Sequence, residues 1–275
     1  MHVPTGQFRW RSVGLLVLLI VGIRRLRQSV AHTREVPLSP LVARGRVGAN
    51  YLEQHDVTTG ANPSGEMDDM AAYARDDFYP ESVHRAVRRF YERTGEYDLS
   101  YHVRWHRGFR LGATLALRLM RHIEQFNLPS PSEPSTGTLS SRIVSVSVDD
   151  DPRDETRAWI RTDESDTAVF VATYASHVRN ETRYVNIAAP LPWSNLSTVL
   201  HVRQYDFGGE SDGIELTTKT KTGDEGLYFV TPIGSVTLPM QQTFRVVPDG
   251  DGIRACHEMW LFGRQFLTIE YRSHD

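Results

Sequence analysis

The sequence contains a single cysteine, Cys256, among 275 residues. One thiol cannot form an internal disulfide, so a disulfide-stabilised scaffold is excluded and a reducing compartment fits. No neighbouring group is identified that would lower its pKa, so a catalytic thiol is not indicated. The formal net charge is only -3. The chain therefore lacks the basic field that binds a phosphate backbone, and we expect no nucleic acid partner.

Short motifs of common enzyme classes are also missing. No Walker-type or dinucleotide-binding glycine pattern occurs, which disfavours nucleotide hydrolases and Rossmann proteins. His102 and His106 have the spacing of a helical metal-binding pair, but the alternation around them predicts a strand. In a strand, residues four apart stand roughly 13 Å apart, too far to share one ion. We therefore expect no metal site and no cofactor.

The amino end carries an uncharged apolar run, Val13 to Ile23, with arginines before and after it. Eleven helical residues reach about 16 Å, whereas the hydrocarbon core of a bilayer is about 30 Å thick. The flanking arginines can extend their charged ends to the lipid headgroups and so lengthen the effective span, which favours a membrane anchor through residues 13–23. A cleaved signal peptide and a buried leader are the alternatives. The heavier positive charge after the run predicts a membrane-associated domain that faces the cytoplasm. A cytoplasmic or an exported protein is the alternative localisation.

Composition and periodicity divide the chain into three parts. Residues 1–27 form the apolar leader, residues 28–70 have scattered prolines and glycines and predict a linker or loosely ordered segment, and residues 71–275 form one domain. Apolar residues three and four apart predict an amphipathic helix over Pro80 to Thr94. A second helix is predicted over Phe109 to Phe126, with one core-facing stripe that comprises Leu115, Leu119, His122 and Phe126.

After Leu139 nearly every segment alternates between apolar and polar residues and is bounded by turn residues, as is typical of strands. The turn from Pro248 to Gly252 predicts an antiparallel hairpin. About ten such strands do not remain one flat sheet. The predicted fold is therefore α+β: a C-terminal antiparallel sheet, closed or nearly closed into a barrel or sandwich, with two N-terminal amphipathic helices packed on it.

Such a sheet either fills its interior or leaves a ligand cavity. The first hypothesis is a membrane-proximal binding module for a lipid or another apolar small molecule. The second is a structural or protein-interaction domain without a small ligand, and the third is an enzyme. Polar and aromatic side chains supply weak candidates for ligand binding: Trp105, His106, Arg110, Arg157, Trp159, His177, Arg179 and His257. In the enzyme hypothesis, His106 or His177 is the general base, and Arg110 or Arg157 binds an anion.

Several stretches resemble the soluble part of YndJ-like proteins, an uncharacterised bacterial and archaeal family. They include FYERT (Phe90 to Thr94), WHRGFR (Trp105 to Arg110), IEQFNLP (Ile123 to Pro129) and the closing LFGRQFLTIEYR. The resemblance extends from Phe78 to Arg272 and implies a shared fold. It implies no catalytic residues. In the family, a similar domain can follow a multi-span membrane portion, whereas this chain has only the run from Val13 to Ile23.

Overall fold

The computed structural model describes residues 29–207, 210–220 and 223–274. The run from Val13 to Ile23, and with it the expected membrane anchor, lies outside these residues. Among the described residues no helix combines the length and the apolar character that a membrane crossing requires. The described residues form twelve strands: β1 (Asp98–Trp105), β2 (Thr136–Ser145), β3 (Asp154–Thr162), β4 (Ala168–Arg179), β5 (Thr182–Leu191), β6 (Ser194–Phe207), β7 (Glu210–Thr217), β8 (Gly226–Thr231), β9 (Gly234–Thr237), β10 (Met240–Asp249), β11 (Gly252–Leu261) and β12 (Arg264–His274).

Ten of these strands close into an antiparallel barrel. Their order is β5-β4-β3-β2-β1-β12-β11-β10-β7-β6, and β6 pairs back onto β5. The first half of β6 also pairs with β8, and its second half pairs with β7. The β8–β9 hairpin is therefore added beside the barrel. The predicted closed antiparallel barrel of about ten strands is confirmed, as is the hairpin at Pro248 to Gly252, which joins β10 to β11.

Besides α-helical residues 29–33, the described part of the chain has the helices α1 (Tyr51–Gln54), α2 (Arg85–Glu92) and α3 (Arg110–Ile123). There are also short 3₁₀ helices at Met70–Tyr73, Pro80–Ser82 and Thr94–Glu96. Helix α2 buries Val87, Phe90 and Tyr91 in the main core and lies against β10 and β11. It closes the end of the barrel that carries the β10–β11 turn, which we call the closed end.

We predicted two N-terminal helices packed on the sheet, and for α3 this prediction was wrong. This helix lies between β1 and β2, at the end of the barrel that also carries the β3–β4, β5–β6, β8–β9 and β11–β12 turns. We call it the mouth end. The predicted stripe is also wrong, since Leu115 is 67% and Leu119 is 62% exposed, and Ala113 and Leu117 are buried instead. Helix α3 has apolar residues on two faces, so periodicity alone could not identify the face that points inward.

The segment expected to be loosely ordered is packed where it is described. Leu41, Val47, Tyr51 and Leu52 are buried against the outer face of the barrel, where they contact Ile160 and neighbouring residues of β2 to β4. Strand β3 is consequently buried on both faces. The apolar residues of this segment follow no helical or strand period, which explains why their pattern indicated a linker.

Candidate ligand cavity

The interior of the barrel contains an apolar cavity beneath α3. Its volume is about 480 Å³, within the range of roughly 300–1,000 Å³ that is usual for small-molecule sites. Ala113 and Leu117 contribute the buried face of α3, and Trp105, at the end of β1, lies at the mouth. The other lining residues are mostly apolar side chains of the strands, among them Phe170, Ala189, Leu196, Phe266 and Ile269.

The inner end of the cavity has a polar floor. Arg161, Tyr174 and Tyr271 line both this cavity and a smaller inner cavity of about 50 Å³. The guanidinium of Arg161 lies 3.5 Å from the ring centroid of Trp159, and its Nη2 donates to the Tyr174 hydroxyl at 3.2 Å. No carboxylate among the described residues forms an ion pair with Arg161, and its Nε is buried without a partner.

Two ionisable groups beside this floor are uncharged near neutral pH. Burial raises the pKa of Glu66, which lines the inner cavity, to about 8, although Arg161 and Arg157 oppose the shift. Burial, and secondarily the charge of Arg161, lowers the pKa of His257 to about 3. His257 Nε2 is 3.1 Å from Gln242 Oε1, and its ring stacks on Phe244 at 3.7 Å. Because its pKa is so far below neutral pH, His257 accepts a proton poorly and is a weak general base.

The predicted site residues do not form one cluster. Trp105 and His257 line the cavity, and Trp159 lies buried below its floor. His106 and Arg110 lie beside the mouth on a surface pocket. There, His106 Nε2 is 2.9 Å from Thr268 Oγ1, and Arg110 donates to the Pro131 carbonyl at 3.0 Å.

The remaining candidates hold other parts of the fold together. Arg157 donates to the Gly65 carbonyl and to Asp68 at 3.0 and 2.8 Å. His177 and Arg179 both contact Asp224, at 3.1 and 3.0 Å.

The four residues of the enzyme hypothesis therefore contact other groups, and none bonds to another. The described residues also contain no group of three or more histidine, cysteine or acidic side chains that could hold a metal ion.

Sequence reasoning missed the floor of the cavity. Arg161 follows Arg157 and Trp159 at every second position of β3, so the three side chains point to the same face of the strand. The alternation that marked Arg157 and Trp159 was the available signal for Arg161. Tyr174 comes from β4, which forms a hairpin with β3, whereas Tyr271 comes from β12, and no local pattern encodes the strand order that brings β12 near β3.

Comparison with known proteins supports the resemblance found in the sequence. The chain is 33% identical over 237 residues to the uncharacterized membrane protein YndJ of Bacillus subtilis (strain 168). The match covers 85% of this chain and 42% of that protein, so the chain spans less than half the length of this relative. No family model matches the chain. No solved structure matches it either.

Proposed function

The chain is a YndJ-like protein, and from this premise we propose that it is a membrane-proximal module that binds a lipid-like or other apolar ligand in its barrel. The observation that carries the proposal is the apolar cavity of about 480 Å³ beneath α3. A natural core is packed with few voids larger than a water molecule, because unfilled space costs stability. An apolar cavity of this size, next to a helix at the mouth, therefore favours a ligand that fills it.

Exposed apolar side chains support placement near a membrane. Nine large apolar residues are exposed among the described side chains, and six belong to the mouth end. These six define the mouth surface: Leu111, Leu115 and Leu119 on α3, Trp193 in the β5–β6 turn, Ile233 in the β8–β9 turn and Phe262 in the β11–β12 turn. Their clustering at one end suits insertion into the interfacial region of a bilayer.

Charge at the mouth end points in the same direction. Arg107, Arg118 and Arg264 are exposed beside the mouth surface, and the described residues provide no ion pair for them. Unpaired basic residues near an apolar surface attract anionic lipid headgroups, at about 1 kcal/mol per residue. The β3–β4 turn is the exception, because it is acidic at Asp163, Glu164 and Asp166. The relative from Bacillus subtilis is named as a membrane protein, which supports this placement.

Binding of a neutral apolar fluorophore tests the cavity. Delipidated protein titrated with N-phenyl-1-naphthylamine is expected to show a saturable, one-to-one increase in fluorescence, because the enclosed apolar walls exclude water from the probe. Dodecanol is expected to compete. An absence of saturable binding, together with no lipid in an organic extract of the freshly purified protein, would contradict the proposal.

The orientation on the membrane has a separate test that uses the full chain. In a Cys256→Ala background, an environment-sensitive nitrobenzoxadiazole label is attached at Phe262→Cys or, as the matched control, at Phe207→Cys. Both native side chains are exposed, at opposite ends of the barrel. Vesicles with anionic lipid are expected to shift the emission of the label at 262 to the blue and to leave the label at 207 unchanged. A response only at 207 reverses the proposed orientation, and no response at either site favours a protein partner for the mouth surface.

A further inference from the structure

We infer that Arg161, Tyr174 and Tyr271 form the binding site for the carboxylate of an amphiphile such as a fatty acid, whose apolar chain fills the cavity above them. The inference rests on the proposed function, since it assigns the class of ligand to the same cavity. It also fixes the orientation: the charged head lies at the inner end, and the chain points toward α3 and the mouth.

Among the described residues, no carboxylate forms an ion pair with Arg161. Arginine remains protonated in proteins, and an enclosed cation without a partner is costly. The guanidinium stacks on Trp159 and lies 5.5 Å from the ring centroid of Phe170. These rings stabilise a cation without neutralising it. A ligand anion at the floor would supply the missing charge.

Glu66 is a nearby carboxyl group that could act as the counter-ion of Arg161. It forms no ion pair with Arg161. Its burial raises its pKa to about 8, so the group is mostly protonated at neutral pH. Glu66 lines the inner cavity of about 50 Å³. Glu66 therefore leaves the positive charge of Arg161 largely uncompensated.

Hydrogen-bond donors at the floor also lack acceptors. Tyr174 accepts a hydrogen bond from Arg161, and the Arg161 guanidinium also lies 5.9 Å from the ring centroid of Tyr271, so each hydroxyl has its own proton available for donation. Burial raises the pKa of both tyrosines, which keeps these protons in place. Arg161 Nε and Trp159 Nε1 are buried donors without a partner among the described residues. Buried donors are normally satisfied, so this concentration of unused donors indicates an acceptor-rich ligand group.

The number of positive charges at the floor of the cavity indicates which class of anion it can bind. A single guanidinium assisted by tyrosine hydroxyls matches a carboxylate, which carries one negative charge and accepts hydrogen bonds at two oxygens. A phosphate monoester carries nearly two charges at neutral pH and would need a second cation. Among the described residues that line the cavity, His257 is the one histidine, and burial lowers its pKa to about 3, so it supplies no charge near neutral pH. The floor therefore fits a carboxylate better than a phosphate.

The test compares dodecanoate with dodecanol, which have the same chain length and different head groups. Delipidated wild-type protein is expected to bind dodecanoate about tenfold or more tightly than dodecanol, because charge-assisted hydrogen bonds are stronger than neutral ones. Arg161→Gln is expected to weaken dodecanoate binding about tenfold, and so to remove this preference, while the affinity for dodecanol falls much less. Saturable dodecanol binding by the variant also shows that it is folded. A wild type without preference, or a preference that survives Arg161→Gln, would overturn the inference.

A second measurement needs no variant. Dodecanoate labelled with ¹³C at its carboxyl carbon is bound to the wild type, and its chemical shift is followed from pH 8 to pH 5. Contact with Arg161 is expected to hold the pKa of the bound carboxyl below this range, so the shift remains constant. A shift that titrates within the range places the carboxyl away from Arg161. If neither dodecanoate nor dodecanol binds, the proposed function itself fails. If dodecanol binds and dodecanoate binds no more tightly, only the carboxylate site is contradicted.

Discussion

Replacing Ala113 with tryptophan is expected to weaken the binding of N-phenyl-1-naphthylamine about 100-fold. Ala113 is buried on the face of α3 that lines the cavity, so the indole would occupy space that the ligand needs. Displacing about four methylene equivalents of buried apolar contact costs roughly 3 kcal/mol, which corresponds to a factor of about 100 in affinity. The fluorescence titration that detects the wild-type site measures this loss directly.

Leu115→Trp is the matched control for this variant. It introduces the same indole into the same helix, two residues further on, where the native side chain is 67% exposed. We expect its probe affinity to equal that of the wild type. Equal loss in both variants would show that tryptophan disturbs α3 itself, and full binding by Ala113→Trp would show that the probe binds elsewhere.

The second large effect concerns stability. Asp224→Ala is expected to lower the free energy of unfolding by about 1–3 kcal/mol, because it leaves the buried Nε2 of His177 without its partner, whereas Arg179 is one-third exposed and keeps its ion pair with Glu35. The Asp224 side chain is 2% exposed and contacts both His177 and Arg179. His177 also lies 2.8 Å from Asn186 Oδ1 on the neighbouring strand. Urea denaturation measures the change.

An exposed aspartate gives the comparison. Asp251 faces Arg85 at 3.8 Å, with both side chains more than four-fifths exposed. Asp251→Ala is therefore expected to leave the denaturation midpoint unchanged. The folded fraction of Asp224→Ala is expected to retain wild-type probe affinity, since Asp224 is not among the residues that line the cavity. Loss of affinity in the folded variant would mean that His177 and Arg179 take part in binding.

The barrel could be predicted because its signal is local and repeated. Strand-like segments bounded by turn residues recur after Leu139, most of them with period-two alternation, and a tight turn such as Pro248 to Gly252 fixes a hairpin within a few residues. The position of α3 could not be predicted in the same way. Its two apolar faces, represented by Leu117 and Leu115, give the same periodicity, and only the tertiary fold decides which one is buried.

The candidate site was predicted only in part, for a related reason. Trp105 and His257 were identified as candidates, and both line the cavity. Arg161 was not identified, because an arginine in a strand is ordinarily exposed to solvent. Its role depends on Tyr174 of the neighbouring strand β4 and on Tyr271 of β12, which is distant in sequence. Contacts of that kind follow from strand order, which local patterns do not contain.

The location of a bound apolar chain tests the central claim most directly. Crystals of the protein with 12-bromododecanol, measured at the bromine absorption edge, report the position of the chain end from its anomalous signal. We expect one bromine site inside the barrel, bounded by Ala113, Leu117 and Phe266. Bromine on the outer surface of the barrel, with the cavity empty of ligand density, would contradict the account.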